Sequence, residues 1–480
     1  MVNIIIFGIG KMYEVRKSFF EENRDRINIV AFLDNNPEFQ GKQKDGVAVY
    51  APEKIEGLNY DCVLLLSKQY MKEMKDQLLS LGVSCELIWE LNTLKLMAFK
   101  GKRTLYGGKT ENVLTKKEKI LIISTEMGFN GGTMVAVYAA MALRDKGYEV
   151  MLSAPCVDER LLEEVVQEGL QITVWDCLPY VFEEDRDWIC GFDIVIVNVF
   201  QMMNCAYEIS KIRPVLWWIH EDRSIWKSFY QDTQREFRAI DYSDWMSRVD
   251  VMGVSSIAKE AFNHFYPSVV SRSLPFGIPD RFTDECRRSE ESKIVFAVTA
   301  GFSVYKGQRI LVNALKKLTQ DEKTGMEIWF IGPEGKNQEE LAGICDEREN
   351  MKFLGLLSHE EVIEILPQID VLVCPSLIET MSMSTIEGMM FGKICITTDM
   401  TGISEYIEDT RNGFVVKAGD SDQLAERISW VINNRDKWDV IQRAARETYE
   451  TEFCMEKFGG RLETELKACA EKYYKKKESV

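Results

Sequence analysis

Histidine, paired cysteines and excess basic charge are what this sequence lacks. Its 480 residues hold three histidines and twelve cysteines, none of them in a C-x-x-C pair. That argues against a structural zinc site and predicts a reduced, cytoplasmic chain without a metal. Lysine and arginine number 59 against 76 aspartates and glutamates, a net charge of −17. Nucleic acid is therefore not expected as a partner, since phosphates call for a basic stripe. The opening "MVNIIIFGIG" has no basic n-region, and no uninterrupted apolar run reaches the roughly 18 residues of a membrane span. A protein without leader or membrane anchor is the expectation. With 46% hydrophobic and 28% charged residues the chain is globular, and its length suits two or three domains.

Strands alternating with helices run through the chain, which predicts an α/β fold with parallel sheets. Residues 1–105 read as a first module. "NIIIFGIG" is a short strand entering a Gly-x-Gly turn, "KMYEVRKSFFEEN" a helix and "INIVAFLDNN" a second strand ending at Asp34. Gly8, Gly10 and Asp34 form a partial dinucleotide fingerprint, with Tyr13 in the place of the third glycine. A tight turn without a ligand accounts for them equally well. The Gly- and Lys-rich stretch 100–118 has no apolar period and reads as a linker.

A second series starts at "KILIIST" (119–125) and continues through "YEVMLSA", "FDIVIVNV", "PVLWWIH" and "VDVMGVS". Gly131 and Gly132 precede a helix whose first hydroxyl is Thr133. Such a turn lets a ligand approach the backbone and offers free N–H groups to an anion. An ordinary loop glycine pair remains open. After "LPFGIPDRF" (274–282) a third series follows: "KIVFAVTAG", "MEIWFIG", "VLVCPS" and "KICITTD". Two similar α/β domains then make a cleft between the carboxyl ends of their sheets.

The segment "SLIETMSMSTIEGMMFG" (376–392) lies where a strand hands over to a helix in the third series. It sets Glu379 and Glu387 eight positions apart. Ser384 and Glu387 also satisfy S-x-x-E, so a capping box is an equal alternative for Glu387.

This E-x7-E pattern comes with "YKGQRILVNAL", "LGLLSHEEVIEIL", "FGIP", "IHE" and "NGF" in order along residues 118–475. The set resembles the retaining nucleotide-sugar glycosyltransferases of family 4. The resemblance implies a GT-B architecture, two Rossmann-like domains facing a cleft, here preceded by the small Rossmann-like module. The domains would be 118–278 plus 456–480 on the acceptor side and 279–455 on the donor side. It implies a metal-independent hexosyltransferase that retains anomeric configuration and needs no cofactor beyond its nucleotide-sugar co-substrate, expected to be a UDP-sugar. The acceptor would be a glycan, a lipid-linked or a protein-linked group in surface polysaccharide or glycoconjugate synthesis, with peripheral contact to the inner membrane face or to a partner enzyme.

By the same resemblance, Lys306 would neutralise the leaving diphosphate, Glu387 would accept from the ribose hydroxyls, and Glu379 would face the transferred sugar beside the N–H groups of Met381, Ser382 and Met383. Gly131, Gly132 and Thr133 would touch the phosphates, and His220 would reach the donor sugar. His264 and His359 would be structural or surface residues. Two departures stand out: Phe302 follows Gly301 where the family commonly has arginine, leaving Arg309 or Arg223 to substitute, and Met381-Ser382 stands where Phe-Gly is common. A GT-B sugar-nucleotide epimerase and a non-catalytic partner subunit are the alternatives.

Overall fold

The computed structural model describes residues 1–67, 70–108, 118–226, 248–282, 293–333 and 350–478. Three sheets carry the chain. The first comprises Val2–Phe7 (β1), Ile27–Leu33 (β2), Gln43–Lys44 (β3), Val47–Tyr50 (β4), Cys62–Leu65 (β5) and Ile88–Trp89 (β6), in the order β3-β4-β2-β1-β5-β6. All its pairings are parallel except β3 with β4. Ile5, Phe7, Ala31, Leu33, Val63 and Leu65 are buried on one face with Met74 and Leu78 of the helix Met71–Ser80. Continuous apolar strands of this kind need cover on both faces, which is why helices intervene between them.

Met1–Thr104 and Trp175–Asp185 form one compact unit; Leu105–Val174 and Arg186–Val480 form the other. The excursion 175–185 had no signal in the sequence. Inside the first unit, Lys100 pairs with Glu184 at 2.7 Å, Arg103 with the fully buried Asp185, and Cys177 Sγ donates to the Leu96 carbonyl at 3.3 Å.

The second sheet has eight strands: Arg103–Tyr106 (β7), Lys119–Ile123 (β8), Glu149–Ala154 (β9), Gln171–Trp175 (β10), Ile194–Asn198 (β11), Val215–Ile219 (β12), Val249–Gly253 (β13) and Ser271–Ser273 (β14), in the order β14-β13-β12-β11-β8-β9-β10-β7. Strand β7 corrects the expected linker. The β-branched and aromatic "TLY" takes an edge place, and a Cβ at Gly107 would meet the Leu170 carbonyl oxygen at 2.7 Å. Residues 109–117 of that stretch lie outside the described residues.

The third sheet is Ile294–Thr299 (β15), Met326–Ile331 (β16), Met351–Gly355 (β17), Val371–Cys374 (β18), Ile394–Thr398 (β19) and Phe414–Val416 (β20), wholly parallel in the order β17-β16-β15-β18-β19-β20. The long helix Met455–Glu478 returns to the second sheet's helix Gly131–Asp145. Tyr148 Oη donates to Glu463 at 3.1 Å, Phe458 stacks on Trp218 at 5.8 Å, and Gly459 permits a close approach to Ala142. No helix of the described residues is long and apolar enough to cross a membrane.

Candidate functional site

The loop that follows β15 brings Lys306 beside the loop that follows β18. Gly307 is left-handed (φ 70°), and a Cβ there would lie 1.8 Å from the Pro375 carbonyl oxygen. Only glycine allows that approach. Leu377 N–H then donates to the Tyr305 carbonyl at 2.7 Å, and Lys306 Nζ reaches Glu379 Oε1 at 2.8 Å. The other carboxylate oxygen, Oε2, accepts from Ser376 Oγ at 2.7 Å and from Cys374 Sγ at 3.2 Å. The Glu379 backbone is clamped as well, donating to the Met400 carbonyl and accepting from Gly402 N–H. Burial works against the Lys306 charge, but the adjacent Glu379 carboxylate wins and raises its pKa. Two of the residues singled out in the sequence thus form an ion pair across 73 positions.

The helix Met383–Met390 starts two residues earlier than a capping box at Ser384 would require. Its N-cap is Ser382, whose Oγ accepts from Thr385 N–H at 3.3 Å. Glu387 therefore sits in mid-helix and caps nothing. Its carboxylate is buried, and Oε1 meets His359 Nε2 at 2.8 Å. His359, expected to be a structural or surface residue, is half-exposed and pairs with Glu387. His359 opens the helix His359–Ile365, where the capping box of Ser358 and Glu361 fixes its position. Its only sequence signal was a histidine in "SHEE" right after an N-cap serine. Met381 and Ser382 are buried at the start of the same loop-to-helix turn, and Met383 is half-buried.

His220 directly follows β12, and its carbonyl accepts from Thr380 Oγ1 at 2.6 Å, tying the second sheet's loop to the Glu379 loop. Its ring leans on Trp218 at 4.9 Å, and Nε2 is buried without a hydrogen-bond partner among the described residues. Burial depresses its pKa to about 3, so the imidazole is neutral. Next to it, Glu221 is buried and accepts from the N–H groups of Phe200 (3.1 Å) and His220 (3.0 Å). Burial raises that carboxyl to about 7 against those bonds. Sequence reading passed over Glu221.

Gly131, Gly132 and Thr133 open the helix Gly131–Asp145, where Asn130 is the N-cap and takes the Thr133 N–H at 3.0 Å. Asn198 donates to the Gly132 carbonyl at 3.0 Å, and Val199 beside it has φ 68°, a strained conformation for a β-branched residue. Of the residues offered in place of the missing arginine, Arg223 sits against His264 at 2.9 Å and Arg309 is exposed on the helix Gln308–Leu315. Phe302 packs against Phe330 and Phe353, so its position faces the apolar core.

In the first module, Gly8 is left-handed (φ 98°) and Gly10 is the N-cap of Lys11–Glu22. Asp34 is spent locally, accepting from Ile9 N–H at 3.1 Å and Asn36 N–H at 2.9 Å. Tyr13 is buried against Phe32, with its hydroxyl on Asp45 at 2.9 Å. Among the described residues, no group of three or more His, Cys, Asp or Glu is placed to hold a metal.

Residues 281–448 match the family profile described as glycosyl transferases group 1. That match spans the whole third sheet. Residues 1–89 match a profile described as C2185-like, N-terminal. Among curated proteins, the chain is 28% identical over 161 residues to the putative glycosyltransferase EpsD of Bacillus subtilis (strain 168), covering 33% of this chain and 41% of that one. It is 25% identical over 176 residues to N-acetyl-alpha-D-glucosaminyl L-malate synthase of Bacillus anthracis, covering 37% and 45%. The chain thus spans less than half the length of these relatives. HepE of Anabaena, solved with UDP and glucose, superposes with a TM-score of 0.59 at 17% identity, over 73% of this chain and all of that one. WaaG, a glycosyltransferase involved in lipopolysaccharide biosynthesis, gives 0.53 at 15% identity over 72% and 99%. The fold is GT-B, with an additional amino-terminal sheet.

Proposed function

We propose that the chain is a retaining, metal-independent glycosyltransferase of family 4 that moves a hexosyl group from a nucleoside diphosphate sugar to a glycan, lipid-linked or protein-linked acceptor. One observation carries this reading: Lys306 and Glu379 pair at 2.8 Å on the loop that leads to Glu387, and Thr380 in that loop bonds the His220 carbonyl. An ammonium, two carboxylates and a neutral imidazole stand along one edge where two parallel sheets end.

In this reading Glu379 holds the Lys306 charge until a donor diphosphate takes it over. A diphosphate entering the site draws the ammonium to itself, and the freed Glu379 oxygen accepts from hydroxyls of the sugar. Glu387 accepts from the ribose. As the glycosidic bond breaks, negative charge grows on the departing diphosphate, where Lys306 and the first N–H groups of the helices Met383–Met390 and Gly131–Asp145 stabilise it. The acceptor hydroxyl attacks on the same face, giving its proton to the leaving phosphate. His220 has its unpartnered Nε2 for the sugar. The similarity to UDP-bound HepE supports a uridine donor. Surface polysaccharide synthesis, a cytoplasmic location and an accessory, acceptor-recruiting role for residues 1–105 complete the proposal, with 118–278 plus 456–480 and 279–455 as acceptor-side and donor-side domains.

Calorimetry with the diphosphates of uridine, adenosine and guanosine tests it. One of them binds the wild-type protein, Glu387→Gln weakens that binding about tenfold, and the corresponding sugar nucleotide is consumed only with transfer to an acceptor or to water. Unchanged affinity in Glu387→Gln, or interconversion of the sugar nucleotide with no transfer, overturns it.

A further inference from the structure

Glu387 is a buried carboxylate in mid-helix, and a buried charge needs a partner to persist. The partner is His359, Nε2 to Oε1 at 2.8 Å. Glu387 Oε2 has no hydrogen bond among the described residues. We infer that His359 is a positioning residue: it holds Oε1, leaves Oε2 to the nucleotide's ribose, and cancels a negative charge that an anionic nucleotide would otherwise meet. The inference rests on the ribose role proposed for Glu387.

The geometry is built from two elements. The capping box of Ser358 and Glu361 sets the start of the helix His359–Ile365, and Ser382 sets the start of Met383–Met390. Other groups also act on the pair. Glu360 favours the imidazolium and Arg281 opposes it, while Glu164, from the helix Glu159–Gln167, and Tyr138, from Gly131–Asp145, feel the pair's charges. The hydrogen bond to Glu387 is the largest influence on His359 and raises its pKa, with burial opposing. The imidazolium therefore persists to higher pH than in an isolated histidine. As pH climbs through the raised value, the charge compensating Glu387 is lost and the grip on ribose weakens.

The readout is the affinity ratio between a nucleoside diphosphate and its 2′-deoxy counterpart, because both carry the same phosphates and any phosphate titration cancels. UDP with 2′-deoxy-UDP, and the adenosine and guanosine pairs, are titrated calorimetrically from about pH 6 to about pH 9, a window that brackets histidine. In the wild type the preference for ribose is about tenfold at the acid end and shrinks severalfold toward the alkaline end. His359→Ala loses most of the preference and its pH dependence. His359→Gln, which keeps a neutral donor, retains part of the preference with a flat profile. His359→Gln, which keeps a donor for Glu387, holds the wild-type melting temperature within a few degrees, whereas His359→Ala strips a buried carboxylate of its partner and lowers it, so the Gln variant carries the test.

If His359→Ala and His359→Gln both keep the wild-type ratio and slope, His359 does not position Glu387, and the reading of Glu387 itself stands. If Glu387→Gln keeps the full preference for ribose, or no ribonucleotide of the three pairs binds, the underlying reading falls instead.

Discussion

Two strands in this molecule run into a helix through a left-handed glycine, and the two turns have opposite electrostatic character. After β1, Gly8 leads to a turn whose one carboxylate, Asp34, is consumed by two backbone N–H groups nearby, while Tyr13 fills the interior behind it. After β15, Gly307 leads to a turn that presses on Pro375 and sets an ammonium against a carboxylate. The first turn is satisfied by its own backbone. In the second, the Lys306 ammonium is held by a carboxylate that an anionic ligand could replace, while that carboxylate keeps its bonds from Ser376 and Cys374. A glycine at a strand end therefore reports a tight turn, and the fate of the charged groups around it separates a scaffold from a site.

The sharpest way to break this contrast is at Lys306. Lys306→Ala should lower transfer by about 10²- to 10³-fold, the scale of one preorganised donor to a developing charge. The melting temperature should barely move, because Glu379 keeps its bonds from Ser376 and Cys374. Turnover and thermal melting on the same samples check it. Near wild-type turnover would reduce the second turn to a scaffold like the first.

Part of this contrast is legible in the sequence. The strands with unbroken apolar runs, such as β8 (KILII) and β12 (VLWWI), announce themselves because they are buried on both faces. Strands β17 (MKFLG) and β20 (FVV) did not: β17 carries a lysine and is only partly buried, and β20 has three residues. Lys306, Glu379, Glu387 and His220 could be picked out because their motifs follow one another in order. His359 and Glu221 could not. A histidine after an N-cap serine and a glutamate after a strand both look like surface residues until the tertiary fold pairs the one with Glu387 and buries the other. Nor could the sequence show that Asp34 is consumed by the N–H groups of Ile9 and Asn36, since the same residue after the same strand also suits an open pocket.

Glu379→Gln gives the next largest effect and isolates the stored charge. With a neutral partner, Lys306 no longer gives up an ion pair to meet a diphosphate, so affinity for the free nucleoside diphosphate should rise about threefold. Transfer should fall by roughly tenfold or more, since a carboxylate facing the sugar is lost. Calorimetry beside a turnover assay separates the two, and a fall in both quantities would contradict a resting Lys306–Glu379 pair.

Glu221 offers a smaller effect with a defined pH sign. Its folded pKa, about 7, lies above the unfolded 4.5, so the folded state holds the proton longer. Stability is therefore lost as pH rises through that window and levels off above it. His220, depressed from 6.5 to about 3, acts oppositely and costs stability as pH falls. Glu221→Gln keeps an acceptor for the Phe200 and His220 N–H groups and removes the alkaline loss. Unfolding measured near pH 8 should show a gain of about 1–2 kcal/mol that disappears near pH 4.5. A gain of equal size at both values would assign the effect to packing.

The smallest effect belongs to the first turn. Asp34→Asn still accepts from Ile9 N–H and should change the module's stability by less than about 0.5 kcal/mol, whereas Asp34→Ala leaves two N–H groups to water and should cost about 1 kcal/mol. Neither should alter affinity for the free nucleoside diphosphate or the rate of donor hydrolysis without acceptor, because on the present reading Asp34 holds backbone and nothing else. The comparison is asymmetric by design: Lys306→Ala should leave folding alone and cost activity, and Asp34→Ala should do the reverse. If Asp34→Asn abolished a second nucleotide-binding event in the calorimeter, the carboxylate would be leaving its loop for a ligand. The two turns would then differ in which nucleotide they hold, and no longer in whether they hold one.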